Sequence, residues 1–150
     1  MRLVIQKVKE AKLTDCGAPY SQIGHGLMVL VGIEEADGKE DVEWLASKLV
    51  KMRIFEDEAG VMNLDVMQTG GEIMLVSQFT LHASTKKGNR PSYLRAAKEP
   101  ISRPIYEAFV LRVEQLLGKS VATGVFGGDM TIELTNLGPT TIVIDSKLRE

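Results

Sequence analysis

Ile73-Met74-Leu75-Val76-Ser77-Gln78-Phe79-Thr80-Leu81 is the stretch on which the reading of this chain turns. It mixes β-branched and aromatic residues without helical spacing, so residues 73 to 81 are expected to form a largely buried strand. Its second half is unusual. Ser77, Gln78 and Thr80 surround Phe79 where a core strand would continue with Val or Ile, and buried polar groups must find partners. Two readings fit: the strand end opens into a polar pocket, or Ser77 and Thr80 lie on the solvent face of an edge strand.

Upstream, Leu27 to Ile33 is apolar on both faces and predicts a central strand, while Arg2 to Lys9, with Leu3, Ile5 and Val8 apolar, predicts a first strand. Asp15-Cys16-Gly17-Ala18-Pro19 supplies turn residues. Gly24-His25-Gly26 lacks the rest of a G-x-G-x-x-G phosphate loop and no helix follows it, so it is expected to be a hairpin turn. Val42, Leu45, Ala46, Leu49 and Met52 recur at helical spacing over 39 to 53. Acidic residues open that helix and Lys48, Lys51 and Arg53 close it, which suits the helix dipole. The acidic turn Glu56-Asp57-Glu58-Ala59-Gly60 reads as a solvated loop rather than a cation site.

Downstream of the strand the composition changes. Lys86, Lys87, Arg90, Arg95, Lys98 and Arg103 face only Glu99, a local positive field in a chain whose net charge is -2. That is either a solvated loop or, beside 77 to 80, an anion site for a phosphate-bearing partner. Ser102 is expected to cap a second helix over 103 to 117, with Pro104 in its first turn and Gly118 past its end. Residues 121 to 126, 130 to 135 and 140 to 145 read as three closing strands, the last two joined by the hairpin loop Asn136-Leu137-Gly138-Pro139. The elements predict one α+β domain over 1–150, with mixed, mostly antiparallel sheets and two main helices packed on one side in β/β/α layers.

Composition narrows the class. At 150 residues, 44% hydrophobic and 25% charged, the chain suits one folded unit. No apolar run approaches the roughly 20 residues of a membrane span and the start resembles no signal peptide, so a cytoplasmic protein without membrane association is expected. Cys16 has no partner for a disulfide. With only His25 and His82 beside it, a Cys/His zinc site is not expected, and no metal or cofactor is.

Classical catalytic groups are scarce. Ser77 and His82, five residues apart, would lie about 16 Å apart on opposite faces of a continuous strand and could not meet. No G-x-S-x-G elbow surrounds any serine, and no carboxylate pair sits in an apolar setting. Gly138-Pro139 is the other notable feature. Since only about 5% of X-Pro bonds are cis, a trans hairpin is its default.

Taken together, Ile5-Gln6-Lys7-Val8, Met52-Arg53-Ile54-Phe55, Ser77-Gln78-Phe79-Thr80-Leu81, Arg90-Pro91-Ser92, Thr123-Gly124-Val125-Phe126 and Asn136-Leu137-Gly138-Pro139-Thr140-Thr141 resemble the D-aminoacyl-tRNA deacylases, end to end. The resemblance implies a homodimeric hydrolase that cleaves the ester between a D-amino acid, or glycine, and the 3′-terminal adenosine of tRNA. It implies a pocket of Ser77, Gln78, Phe79 and Thr80, with a cis Gly138-Pro139 loop inserted from the other subunit whose outward carbonyls exclude L-amino acids. It further implies that the substrate's 2′-hydroxyl activates water while main-chain amides near Phe79 and Thr80 stabilise the oxyanion, Thr80 as nucleophile being the rival. Phe126 and Met130 align with the adenosine pocket, or are two core residues beside a turn. By charge, Lys86, Lys87 and Arg90 would suit acceptor-stem phosphates. Lys7 stands where the family usually has Arg, and Leu137 and Thr140 also depart from the commoner loop. The alternative to an enzyme is a non-catalytic tRNA- or nucleotide-binding module of the same fold.

Overall fold

The computed structural model describes residues 1–150. Strand β1 (Arg2–Asp15) is flanked along its whole length on one edge by β8 (Met130–Asp145), antiparallel to it. Its other edge is shared: β3 (Gly26–Gly32) pairs with Arg2 to Val8, and β2 (Ala18–Ile23) pairs with Ala11 to Asp15. The sheet continues in parallel through β6 (Glu72–Ser77) to the short β7 (Ala122–Thr123). A separate two-strand ribbon, β4 (Phe55–Glu56) with β5 (Met62–Leu64), lies between α1 and β6 in the chain. The expected mixed, mostly antiparallel α+β architecture with two helices is what forms.

Helices α1 (Lys39–Lys51) and α2 (Glu99–Leu117) pack on one face of the sheet, where Leu3, Ile5, Val29, Val31 and Leu75 meet Leu45, Leu49, Phe109 and Val113 in the larger core. The opposite face holds a second cluster, Val8, Ala11, Leu13, Met28, Met74 and Val76, with Met130, Ile132 and Leu134 against it. Strand alternation sorts β6 between the two, Ile73 and Leu75 to one side and Met74 and Val76 to the other. Strand β1 changes sides. Leu3 and Ile5 face the helices and Val8 faces away by ordinary alternation, yet Ala11 and Leu13 also face away, because the register break against β8 between Val8 and Glu10 shifts the alternation by one residue.

Several sequence expectations need correction. The strand expected over 73 to 81 stops at Ser77, and Phe79–His82 is a 3-10 turn, since Gln78 N–H makes the last sheet bond, 2.8 Å to the Val31 carbonyl. Ser77 and His82 are therefore not held apart by an extended strand. Ser102 is not an N-cap. The second helix begins at Glu99 behind Lys98, with Pro100 in its first turn, and the Ser102 hydroxyl bonds back 3.1 Å to the Lys98 carbonyl. The first strand runs six residues beyond Lys9, to Asp15, and Pro19 belongs to β2 rather than to a turn. Gly24-His25-Gly26 is not a hairpin turn, because β2 and β3, which it joins, both pair with β1 and not with each other.

At the C-terminal end, only Ala122–Thr123 of the stretch 121 to 126 is strand, and the two strands expected over 130 to 135 and 140 to 145 are one. Asn136 pairs with Val8 and Thr141 with Gln6, so residues 137 to 140 bulge out of the ladder opposite Lys7. They form a projection, not a hairpin. Within it the Gly138-Pro139 peptide is cis, and Gly138 has φ +112°, in the range open mainly to glycine. The Asn136 amide donates 3.0 Å to Thr141 Oγ1 and its carbonyl accepts the Thr140 N–H at 3.3 Å, closing the bulge at its neck. Lys7 is buried, and its ammonium donates 3.2 Å to the Ile54 carbonyl.

Asp41 ties α1 to the C-terminal segment. Burial would push its carboxyl up, but hydrogen bonds from Ser146, Lys147 and the Gly38 N–H, with the Lys147 charge, outweigh this and lower it from 3.8 to about 2. A depressed carboxylate stabilises the fold above its unfolded value, and that stabilisation fades as pH falls from about 4 to 2. Asp41→Asn is expected to lose about 1–2 kcal/mol at pH 7 in urea unfolding, with the gap to wild type closing as the pH is taken down towards 2.

Candidate active site

A cleft of about 600 Å³ opens where β6 ends, on the helix-facing side of the sheet. The chain leaves the β3 edge at the Gln78-to-Val31 bond and returns at a 2.9 Å bond from Ala97 N–H to the Ile33 carbonyl, supported by a bridge between Glu34 and Ala96. Val31 and Ile33 are therefore the floor of a gap framed by outgoing and incoming backbone. Its far wall is the turn from Phe126 to Met130.

The 3-10 turn can leave the sheet so sharply because Gly32 has no side chain. A Cβ there would lie 2.8 Å from Leu81 Cβ and 3.2 Å from the His82 ring. His82 is fully buried in that position, neither ring nitrogen has a hydrogen-bond partner, and Nδ1 lies 3.9 Å from Glu34 Oε2. From the other side Arg2 donates 2.8 Å to the Leu81 carbonyl while its guanidinium pairs with Asp145 at 2.9 Å. The turn is thus fixed to β3 beneath it and to the β1–β8 pair beside it.

Five of the expected residues, Ser77, Gln78, Phe79, Phe126 and Met130, come together in this one cleft. Thr80 does not line it, and its hydroxyl receives a 2.6 Å hydrogen bond from Gln78 Nε2. The N–H groups of Phe79 and Thr80 precede the first hydrogen bond of the turn, Leu81 N–H to the Gln78 carbonyl, and donate to no protein acceptor. Gly138 and Pro139 are exposed on their projection and line no part of this protomer's cleft.

Phe126 is braced by Tyr106, with ring centroids 5.7 Å apart, and by the Arg103 guanidinium 5.6 Å from its centroid. Tyr106 donates 2.8 Å to the Leu75 carbonyl, and burial pushes its phenol well above the usual range. Met130 packs over Gly124, where an added Cβ would meet its sulfur at 2.5 Å. Gly128 is equally confined, since a Cβ would fall 2.7 Å from Asp15 Oδ1. The two histidines contribute no acid or base here: His82 is sealed under the turn, and His25 packs against Phe55, 5.0 Å between centroids.

Sequence reasoning missed Tyr93 on the returning segment, Glu99 at the start of α2 and Asp129 in the far-wall turn, while Lys98 is the one member of the expected basic run that lines the cleft. Tyr93 meets Phe79 edge-on at 5.1 Å between centroids, both rings partly exposed. The Gly127-Gly128 doublet was the one local signal for the far wall. No group of three or more His, Cys, Asp or Glu side chains converges as a metal site, and no helix is long and apolar enough to cross a membrane.

The fold is shared with a solved probable eukaryotic D-amino acid tRNA deacylase, on which the structure superposes with TM-score 0.82 over 95% of this chain and 97% of that one, at 17% identity. A nearer likeness is the solved c-Myc DNA unwinding element binding protein, TM-score 0.92 and 34% identity over 97% of this chain and 99% of that one. A family profile described as D-Tyr-tRNA(Tyr) deacylase matches residues 4–145, and the chain belongs to that family of hydrolases. It is 61% identical over 150 residues to the D-aminoacyl-tRNA deacylase of Parabacteroides distasonis and 56% to that of Bacteroides thetaiotaomicron, covering 100% of both chains in each case.

Replacing Gly32 by Ala must push the 3-10 turn off β3. Overpacking of this kind is expected to cost about 1–3 kcal/mol in chemical unfolding, and a displacement near 1 Å to lower deacylase turnover roughly 10- to 100-fold. Wild-type values in both assays would mean that the turn does not depend on the bare position beneath it.

Proposed function

We propose that the chain hydrolyses the ester that joins a D-amino acid, or glycine, to the 3′-terminal adenosine of tRNA, acting in the cytoplasm to clear mischarged tRNA. The observation that carries this reading is the pair of unbonded N–H groups at Phe79 and Thr80, at the edge of a cleft that no histidine enters. Backbone donors fixed in advance are suited to an oxyanion, because they stabilise developing charge without reorganising.

The reaction follows from what the cleft offers. The terminal adenosine sits against Phe126 and Met130, and the ester carbonyl lies toward the Phe79 and Thr80 amides, with Ser77 and Gln78 lining the approach. The substrate's own 2′-hydroxyl activates a water molecule, whose oxygen attacks the carbonyl carbon. The tetrahedral oxyanion is held by the amides. Collapse breaks the bond to O3′, which takes up a proton, and releases the amino acid and tRNA with a free 3′-hydroxyl. Thr80 acts through its backbone, and its hydroxyl is engaged by Gln78.

Handedness is set by a second copy of the chain. The 137 to 140 projection of one protomer enters its partner's cleft, where the carbonyls of Gly138 and Pro139 occupy the space an L-amino acid needs. In support, Gly138 and Pro139 at its tip are exposed, the projection lines no part of its own cleft, and its neck is closed by Asn136.

Wild-type protein incubated with D-tyrosyl-tRNA and L-tyrosyl-tRNA is expected to release only the D-amino acid. Binding without release would favour the rival reading, a non-catalytic nucleic-acid-binding module, for which the likeness to a DNA unwinding element binding protein gives some ground. Thr80→Ala is expected to keep activity within about tenfold of wild type; a loss of two orders of magnitude with the fold intact would favour the hydroxyl nucleophile. Charged tRNA ending in 2′-deoxyadenosine should turn over far more slowly, and an unchanged rate would refute substrate assistance.

A further inference from the structure

We propose that the excursion between Gln78 and Ala96 is a docking arm for the acceptor end of the RNA, with its basic tip on the phosphate backbone and its aromatic base under the unpaired 3′ nucleotides. This rests on reading the cleft as the site of the 3′-terminal ester.

The excursion is a built element. Its two ends are fixed to the β3 edge two residues apart, at Val31 and Ile33. Partway out, Ser84 and Ser92 exchange both backbone hydrogen bonds, at 2.8 and 2.9 Å, so that residues 85 to 91 form the tip of a closed stem. A tip held in this way gives up less freedom on binding than a free loop would.

Its chemistry has one sign. No carboxylate occurs between Glu72 and Glu99, and the interval carries Lys86, Lys87, Arg90, Arg95 and Lys98. Of these only Arg95 has an ionic partner, Glu34 at 3.5 Å; Lys86, Lys87 and Arg90 are exposed on the tip with none. Unneutralised cations on an acidic protein mark the place where a polyanion gains most, through release of its counterions. At the base of the arm Phe79 and Tyr93 are 57% and 40% exposed, unusual for aromatics of a core, and both line the cleft mouth. Exposed rings beside a positive track are how proteins hold single-stranded ends, because every base offers a face to stack on. A membrane or an acidic peptide would use the charge but not the rings in the cleft.

The test uses the full-length double variant Lys86→Ala/Lys87→Ala, whose side chains have no partner to lose, and two substrates, D-tyrosyl-tRNA and the 3′-O-D-tyrosyl ester of adenosine. On charged tRNA at low salt the variant is expected to lose about tenfold in kcat/KM through KM, with the dependence on log salt shallower by about two. On the adenosine ester it is expected to match wild type. Unchanged KM and salt slope on tRNA would overturn the arm. Binding of uncharged tRNA is measured alongside. If wild type hydrolyses neither ester yet binds tRNA through Lys86 and Lys87, the arm stands and the hydrolytic reading falls.

Discussion

One hydrogen bond fixes the position of everything at the cleft: Gln78 N–H to the Val31 carbonyl, 2.8 Å, the final rung between β6 and β3. Up to that rung β6 is an ordinary buried strand, two-sided and apolar. Past it the backbone is released from pairing and turns in the space that Gly32 leaves vacant, which spares the first amides of the turn from any internal partner. The turn thus brings bare backbone donors to a cleft that no histidine enters. A strand that ran on through Leu81 would have spent those donors in the ladder.

Most of the core was readable because it follows periodicity. Val42, Leu45, Ala46 and Leu49 mark α1, and the apolar runs at 27 to 33 and 73 to 76 mark the paired strands β3 and β6, all through local spacing that burial enforces. What misled was continuity. Ser77 to Leu81 has strand-like composition, but its polar residues leave the sheet, and nothing local announces that Gly32, far away in sequence, makes room for the departure. The reverse error occurred at Asn136 to Thr140. Turn residues there suggested a chain reversal, whereas the ladder against β1 resumes at Thr141 in the same direction. Ser102 looked like a cap because it stands just ahead of Pro104, a residue suited to a first turn, yet Pro100 takes that place, the helix begins at Glu99 and Pro104 lies inside it.

The site was legible in a different way. Ser77, Gln78, Phe79, Phe126 and Met130 were identified through likeness to a family, and the fold does gather them around one cleft. Tyr93 and Glu99 escaped because each belongs to a segment whose own sequence reads as loop or helix end, and Asp129 because it lies in a short turn between two strands. Tyr93 and Glu99 are placed by the bond from Ala97 to Ile33 and Asp129 by the bond its carbonyl accepts from Cys16 N–H, long-range closures that no local pattern encodes.

The continuity of β8 has a consequence of its own. Met130 sits in the cleft wall and Gly138 on the projection, and the two belong to a single ribbon bonded to β1 on either side of the bulge. The paired stretch from Met130 to Asn136 spans roughly 20 Å, so one run of β8 joins the wall of the cleft to the neck of the projection. Recess and projection thus share one foundation, and the distance between them is set by the length of β1 that carries both.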